Sequence, residues 1–391
     1  MHKTGDLVEQ SIGSRIEGTA LEAPVLSGKP QTHKWYRIPL KEGLSGDGSE
    51  YHIYLKKGEG EHLCIFFSGG GVAWNEYTAA RPVTGGRVAA GEPNFYWNNL
   101  RPFTQIMNIN IGITEENKRN PFHDWNFVVI TYATGDFHVG NNDFPYKAED
   151  GSKQVLHFHG HKNFEESMKV ARTYFPCADK ILIAGDSAGA FAVPALAGEI
   201  IRDWYPGCMD YTLFSDSGQF LYKKWRHTAK TIWKAPEPLW KAIHTENITL
   251  DWYRKLVREL ADGPKRRIRF LYASSVYDYL LSAYYNDVTR KTYTTDKDVQ
   301  EAFHLQLIEM VEQLKALNVG FVFFLNVWKN PLTKGGTVHT AVRELYFHSR
   351  TRGGRTMAKW LSDAVNDHLY DVGLGLLMPH TKQKEQKTKR R

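Results

Sequence analysis

The sequence predicts an α/β fold: a mostly parallel, doubly wound sheet with antiparallel edge strands and long inserted loops. Three observations predict it. Short apolar runs alternate with longer segments of helical pattern, the order that builds a parallel sheet with helices on both faces. The run Leu63-Cys64-Ile65-Phe66-Phe67 is continuously apolar, as a strand covered on both sides has to be. Residues 181–200 read as a buried strand, a sharp turn carrying a serine, and a helix, around Gly185-Asp186-Ser187-Ala188-Gly189.

Residues 1–33 are polar and aperiodic, an irregular lead-in. Trp35 to Leu40 and Tyr51 to Lys56 alternate apolar and polar about Gly43 to Gly48, which predicts an antiparallel hairpin at a sheet edge. The strand around residues 63–67 ends in Ser68-Gly69-Gly70-Gly71. Residues 72–125 form a long segment rich in Gly, Asn and aromatics, of the kind that makes lids or binding loops. Phe127 to Tyr132 reads as a strand and Asn163 to Tyr174 as a helix. Past the serine turn, Tyr211 to Phe214 is a strand, and 221–262 is helical with breaks at Pro236 and Pro238. Arg267 to Ala273 and Gly320 to Val327 are further buried strands, joined by a helix near Asp298 to Leu317. Met357 to Asn366 reads as a last helix, and 381–391 as a disordered basic tail. One domain spanning 34–380 fits better than two, since neither an internal repeat nor a low-complexity linker interrupts it.

Composition narrows the function classes. With 42% hydrophobic and 13% aromatic residues the 391-residue chain can build a large core. Its net charge of +7 is concentrated in Lys382 to Arg391, which holds six basic residues and one Glu. The rest is close to neutral, so the charge marks a solvated tail and not a nucleic-acid surface. Cys64, Cys177 and Cys208 are far apart and odd in number, without the spacing of a metal site or a disulfide framework, and read as buried structural thiols. No apolar run of signal-peptide or membrane-span length is present. The expectation is a soluble, cytoplasmic protein with no membrane span, in which the sequon Asn247-Ile248-Thr249 is coincidental.

The Gly-x-Ser-x-Gly turn is the signature of a nucleophile elbow, where small flanking residues let the chain turn tightly and leave the serine Oγ exposed at the sheet edge. A serine hydroxyl needs a base to take its proton and an acid to orient that base. Asp278 falls just past the strand 267–273, and His339 follows the loop after the strand 320–327. Both lie where ligands bind in such sheets, in the order Ser, acid, His of the α/β-hydrolase-like fold. Asp262 and Asp287 compete as acids, and His348 as base. Asp278 also reads as a plain helix N-cap, and His339 as a loop histidine with no chemistry. An oxyanion needs preorganised N–H donors: Ala188, after the serine, supplies one, and the glycine turn at 69–71 is positioned to supply others. Phosphate binding fits poorly, because no Lys follows these glycines. His157, His159 and His161 suggest a metal trio, but no carboxylate or cysteine pattern accompanies them. They read as a strand-to-helix turn bordering the cleft.

With these residues in place the chain resembles the pectin acetylesterase family, which also includes an animal carboxylesterase that removes a fatty acyl group from Wnt proteins. The resemblance rests on FFSGGGVAWN (66–75), NPFHDWNFVVITYATGDFHVGN (120–141), FHGHKNFEESM (158–168), IAGDSAGAFAV (183–193) and FSDSG (214–218). It implies Ser187 as nucleophile, His339 as general base and Asp278 as orienting acid. It further implies Gly70, Gly71 and Ala188 as an oxyanion hole, with Trp74, Asn75, Asp136 and His138 at the substrate-binding pocket or buttressing it. Secreted members carry many disulfides, and the family's Tyr-Cys-Thr-Gly-Asp reads Tyr132-Ala133-Thr134-Gly135-Asp136 here, so the link to an exported enzyme acting on pectin is loosened. The implied function is a serine carboxylesterase acting on an O-acetyl or short-acyl ester, small or polymeric, without a metal or organic cofactor and without nucleic acid. The alternatives are a lipase- or thioesterase-like hydrolase of longer chains, and an inactive hydrolase fold used for binding. No oligomeric state is specified.

Overall fold

The computed structural model describes residues 23–100 and 107–378. Residues 1–22 of the lead-in and the whole basic tail lie outside the described residues. Ten strands are present among them: β1 (Trp35–Leu44), β2 (Glu50–Lys56), β3 (Leu63–Phe67), β4 (Asn126–Ile130), β5 (Asn142–Lys147), β6 (Lys153–Phe158), β7 (Ile181–Asp186), β8 (Asp210–Asp216), β9 (Arg267–Ser275) and β10 (Val322–Asn326). Eight form one sheet in the order β1-β2-β4-β3-β7-β8-β9-β10. β2 is antiparallel to both neighbours, and β4, β3, β7, β8, β9 and β10 run parallel. The hairpin expected at the sheet edge is β1–β2. Strand pairing places β3 beside β7 with Phe67 opposite Gly185, so the glycine turn and the serine turn leave the sheet side by side. This mixed, mostly parallel sheet flanked by helices is the α/β-hydrolase-like fold.

Alternation along the buried strands divides the core between the two faces of the sheet. Leu63, Ile65 and Phe67 of β3, with Ile181 and Ile183 of β7, pack into one cluster; Cys64, Phe66, Leu182 and Ala184 pack into the other. The first face is covered by α1 (Gly160–Tyr174), α2 (Ala188–Glu199), α3 (Ile248–Ala261) and α5 (Lys297–Lys315), through Phe164, Phe191, Trp252 and Phe303. The tyrosine-rich α4 (Tyr279–Arg290) joins the same cluster through Leu281 and Tyr284. The second face is covered by α6 (Met357–Ala364) through Trp360 and Leu361, and by Ile109, Ile113 and Phe122 of the 72–125 segment. Residues Ala188 to Gly198 of α2 are all buried, as a helix held between a sheet and a second helix layer requires.

Three expectations change. The helix α4 was not anticipated. β5 and β6 pair only with each other, as a separate antiparallel hairpin, and this places His157 on a strand. Cys64 and Cys208 are buried, but Cys177 is exposed, so it is not a core thiol. Asn247 of the sequon caps α3, its side chain accepting from Leu250 N at 3.1 Å. No helix of the described residues is long and apolar enough to cross a membrane.

Candidate active site

Ser187 stands between β7 and α2 with φ 51° and ψ −121°. Such a backbone costs about 1–3 kcal/mol outside glycine and persists only where its surroundings hold it. Here Ser187 N donates to the Asp216 carbonyl at 2.8 Å, and Ala190 N donates back to the Ser187 carbonyl at 2.9 Å. The glycines are needed for space. A Cβ on Gly189 would stand 1.9 Å from the Phe67 carbonyl oxygen, and one on Gly185 2.2 Å from that of Gly189.

His339 reaches the serine from the loop after β10. Its Nε2 lies 2.7 Å from Ser187 Oγ, and its Nδ1 lies 2.7 Å from Asp278 Oδ2. The loop is fastened by Asp216 at the end of β8, whose Oδ2 accepts from Ala341 N at 2.7 Å and Val342 N at 2.8 Å. Burial pushes the Asp216 carboxyl up to about 6, against those two amides, which favour its charged form. Burial alone would lower the His339 pKa, but the Asp278 carboxylate, with Asp216 and Asp186 behind it, raises it above the ordinary histidine value. A hydroxyl bonded to such an imidazole can pass its proton to Nε2 when it attacks an electrophile.

Gly70 and Gly71 border the same cleft as Ser187. Gly71 has φ +81°, and a Cβ there would stand 1.9 Å from the Phe95 carbonyl oxygen. Ala188 N is the first amide of α2, with no partner inside the helix. Among the described residues, no acceptor is bonded to the amides of Gly70, Gly71 or Ala188. Gly70 and Gly71 line the cleft beside Ser187, whereas Ala188 is buried and is not among the lining residues. A network that the sequence reading missed locks the glycine turn to the serine turn. Asp186 Oδ1 accepts from Gly69 N at 2.8 Å, and its Oδ2 accepts from Arg343 Nε and Nη2 at 3.1 and 2.9 Å. Arg343 Nη1 donates in turn to Asn108 Oδ1 at 2.8 Å and Ser68 Oγ at 3.2 Å. The available signal was an aspartate inside the Gly-x-Ser-x-Gly turn with an arginine four residues after the histidine.

Trp74, Asn75, Asp136 and His138 are not among the residues that line the cleft. Trp74 is buried, its ring edge-on to Phe95 and Phe220, because the inserted segment folds its aromatics inward. Asn75 caps the short helix Glu76–Ala79, its side chain accepting from Thr78 N at 2.9 Å. Asp136 is fully buried and accepts from Thr134 Oγ1, Gly160 N and His138 N at 2.7, 2.8 and 3.1 Å. His138 Nε2 donates to the Ser68 carbonyl at 2.9 Å, and burial holds its pKa down to about 4, so the ring is neutral. Of these residues His138 reaches the start of the glycine turn, through the Ser68 carbonyl, and Asp136 fixes the backbone of His138. The competing residues are elsewhere: Asp262 ends α3, Asp287 lies within α4, and His348 pairs with Glu115 at 3.1 Å. The histidines of 157–161 do not border the cleft either.

The cleft has a volume of about 280 Å³. Trp97, Tyr279, Tyr284, Tyr293 and Leu280 make its apolar wall, and Glu344 lies at its rim side. No curated protein matches the chain. The pectinacetylesterase model matches residues 40–260, more than half of the 391 residues, and the protein therefore belongs to the pectinacetylesterase family, a family of esterases that hydrolyse acetyl esters.

Proposed function

We propose that the protein is a serine carboxylesterase that removes an O-acetyl or similarly short acyl group through an acyl-enzyme on Ser187. One observation carries this reading: the unbroken chain Ser187 Oγ to His339 Nε2 to Asp278 Oδ2, with 2.7 Å at each link, beside the Gly70 and Gly71 amides, which have no acceptor among the described residues. His339 takes the hydroxyl proton as Ser187 Oγ attacks the ester carbonyl. Asp278 keeps the proton on Nδ1, so that Nε2 presents its lone pair, and stabilises the imidazolium that forms. The amides of Gly70, Gly71 and Ala188 stabilise the negative charge of the tetrahedral intermediate, each such donor contributing about 3–4 kcal/mol. Collapse of the intermediate expels the alcohol, which takes the proton from Nε2. Water activated by the same nitrogen then releases the acid.

The preference for a short acyl group rests on volume. A cleft of about 280 Å³ is at the small end of ligand pockets, which run from about 300 to 1,000 Å³. Hydrolysis of 4-nitrophenyl esters from acetate to palmitate tests both parts. Acetate or butyrate should give the highest kcat/KM, and Ser187→Ala should lose turnover of every ester. Equal rates in the variant, or a palmitate optimum, would overturn the reading.

A further inference from the structure

At the end of the sheet opposite Ser187, two histidines converge on one carboxylate oxygen. His33 Nδ1 lies 3.0 Å from Glu116 Oε1, and His123 Nε2 lies 2.8 Å from the same atom. His33 lies two residues before β1, and Glu116 and His123 lie in the segment leading into β4, so residues more than 80 apart in the chain meet. The other nitrogen of each ring faces a carboxylate: His33 Nε2 with Glu59 Oε1 at 3.1 Å, and His123 Nδ1 with Asp124 Oδ1 at 2.7 Å. Carboxylates accept, so those outer nitrogens carry the ring protons. The inner nitrogens, on rings stacked 4.2 Å apart, then lie against an oxygen that is itself only an acceptor.

The contacts at 3.0 and 2.8 Å are not hydrogen bonds. Among the described residues, both His33 Nδ1 and Glu116 Oε1 are buried with no hydrogen-bond partner. Three acceptors facing one another at these distances repel unless a cation stands among them. Two donors bound at about 2.1 Å to one ion are about 3.0 Å apart at a right angle and about 3.4 Å apart at the tetrahedral angle, so a bound ion would draw Glu116 Oε1 slightly away from the two nitrogens. The carboxylates behind the two rings are the usual outer partners of metal-bound histidine. Glu116 keeps only one oxygen for the ion, because its Oε2 accepts from the buried Lys56 Nζ at 2.8 Å. Glu59, Glu116 and Asp124 against Lys56 leave two negative charges, which a divalent ion neutralises.

The second histidine group shows the contrast. Asp143 Oδ1 makes true hydrogen bonds with His157 Nδ1 and His159 Nε2, at 2.6 and 3.1 Å. The nitrogens that face Asp143 are thus hydrogen-bonded to it, and the unpartnered nitrogen of that group among the described residues, His159 Nδ1, is the one not bonded to the carboxylate.

We propose that His33 Nδ1, Glu116 Oε1 and His123 Nε2 bind one zinc ion, with water completing the coordination, and that the ion staples the lead-in to the start of β4. Two imidazoles and a carboxylate are a borderline-soft donor set suited to zinc. The position, remote from Ser187, makes the role structural.

The test uses the full chain, stripped with a chelator, equilibrated with Zn²⁺ and desalted, with metal read by inductively coupled plasma mass spectrometry. The wild type should retain one zinc per chain and gain thermal stability from it. His123→Ala and Glu116→Gln should retain none, and Asp143→Asn should retain one. Asp124→Asn alters only an exposed outer partner, so it should fold and bind zinc about 10- to 100-fold more weakly. Circular dichroism establishes that each variant is folded. No zinc on the wild type, unchanged retention in His123→Ala and Glu116→Gln, or undiminished affinity in Asp124→Asn would overturn the proposal.

Discussion

Asp278 divides its carboxylate between His339 and a helix. Oδ2 lies 2.7 Å from His339 Nδ1, and Oδ1 accepts from Leu280 N and Leu281 N at 3.0 and 2.9 Å. The same side chain therefore caps α4 and fixes the imidazole, and each contact restrains the other. Asp278→Asn preserves an oxygen for the cap but no longer accepts from Nδ1–H with a charge. It should lower kcat by about 10⁴-fold with little change in melting temperature. Asp278→Ala should lose the cap as well, at about 1 kcal/mol. Kinetics and thermal unfolding of the pair separate the two functions.

The raised pKa of His339 sets a pH dependence. The proposed base acts when neutral, so kcat/KM should fall as pH drops through a value above that of an ordinary histidine. In Asp278→Asn burial persists while the largest opposing attraction is gone, so the limb should move to lower pH. The stability effect has the opposite sense. The folded state binds this proton more tightly than the unfolded chain, so stabilisation by the imidazolium is complete below the unfolded value and is lost as pH rises through the folded one. A kcat/KM profile with 4-nitrophenyl acetate checks the first part; urea unfolding across the same pH range checks the second.

Arg343 and Asp186 form a buried ion pair, with side chains 7% and 6% exposed. Arg343→Met leaves a buried carboxylate without its partner and should cost about 3–5 kcal/mol. Adding Asp186→Asn should recover part of that loss, a coupling measurable by a double-mutant cycle in urea. Because the pair ties Gly69 to the serine turn, the single variant should also lose activity in excess of its unfolded fraction.

Gly189→Ala should destabilise the protein by about 3 kcal/mol or more, since its Cβ would meet the Phe67 carbonyl oxygen at 1.9 Å. Ala190→Gly, one position on, creates no clash and should leave the serine turn intact. Soluble yield and melting temperature distinguish the two.

The sheet was legible because buried strands are continuous apolar runs, and the proposed triad because each member stands at a strand end. The alternatives weighed for Asp278 turned out to coexist: it is a helix N-cap and also the partner of His339. The helix it caps escaped notice, although Leu280, Leu281, Tyr284 and Val288 recur at helical spacing along α4 and pack on the core. Trp74 shows what the sequence left open. An aromatic in an inserted loop can wall a cleft or fill the space beneath it, and only packing against Phe95, Phe220 and Tyr284 decides between them. Arg343 and the facing histidines His33 and His123 were invisible because their partners are distant in sequence.

The central claim is that Ser187 is the nucleophile. A fluorophosphonate probe followed by intact-mass and peptide mass spectrometry tests it most directly. One adduct per chain, mapped to Ser187, abolished in Ser187→Ala and slowed in Asp278→Asn, is the predicted result. No adduct, or one mapped to another residue and retained in Ser187→Ala, would contradict it.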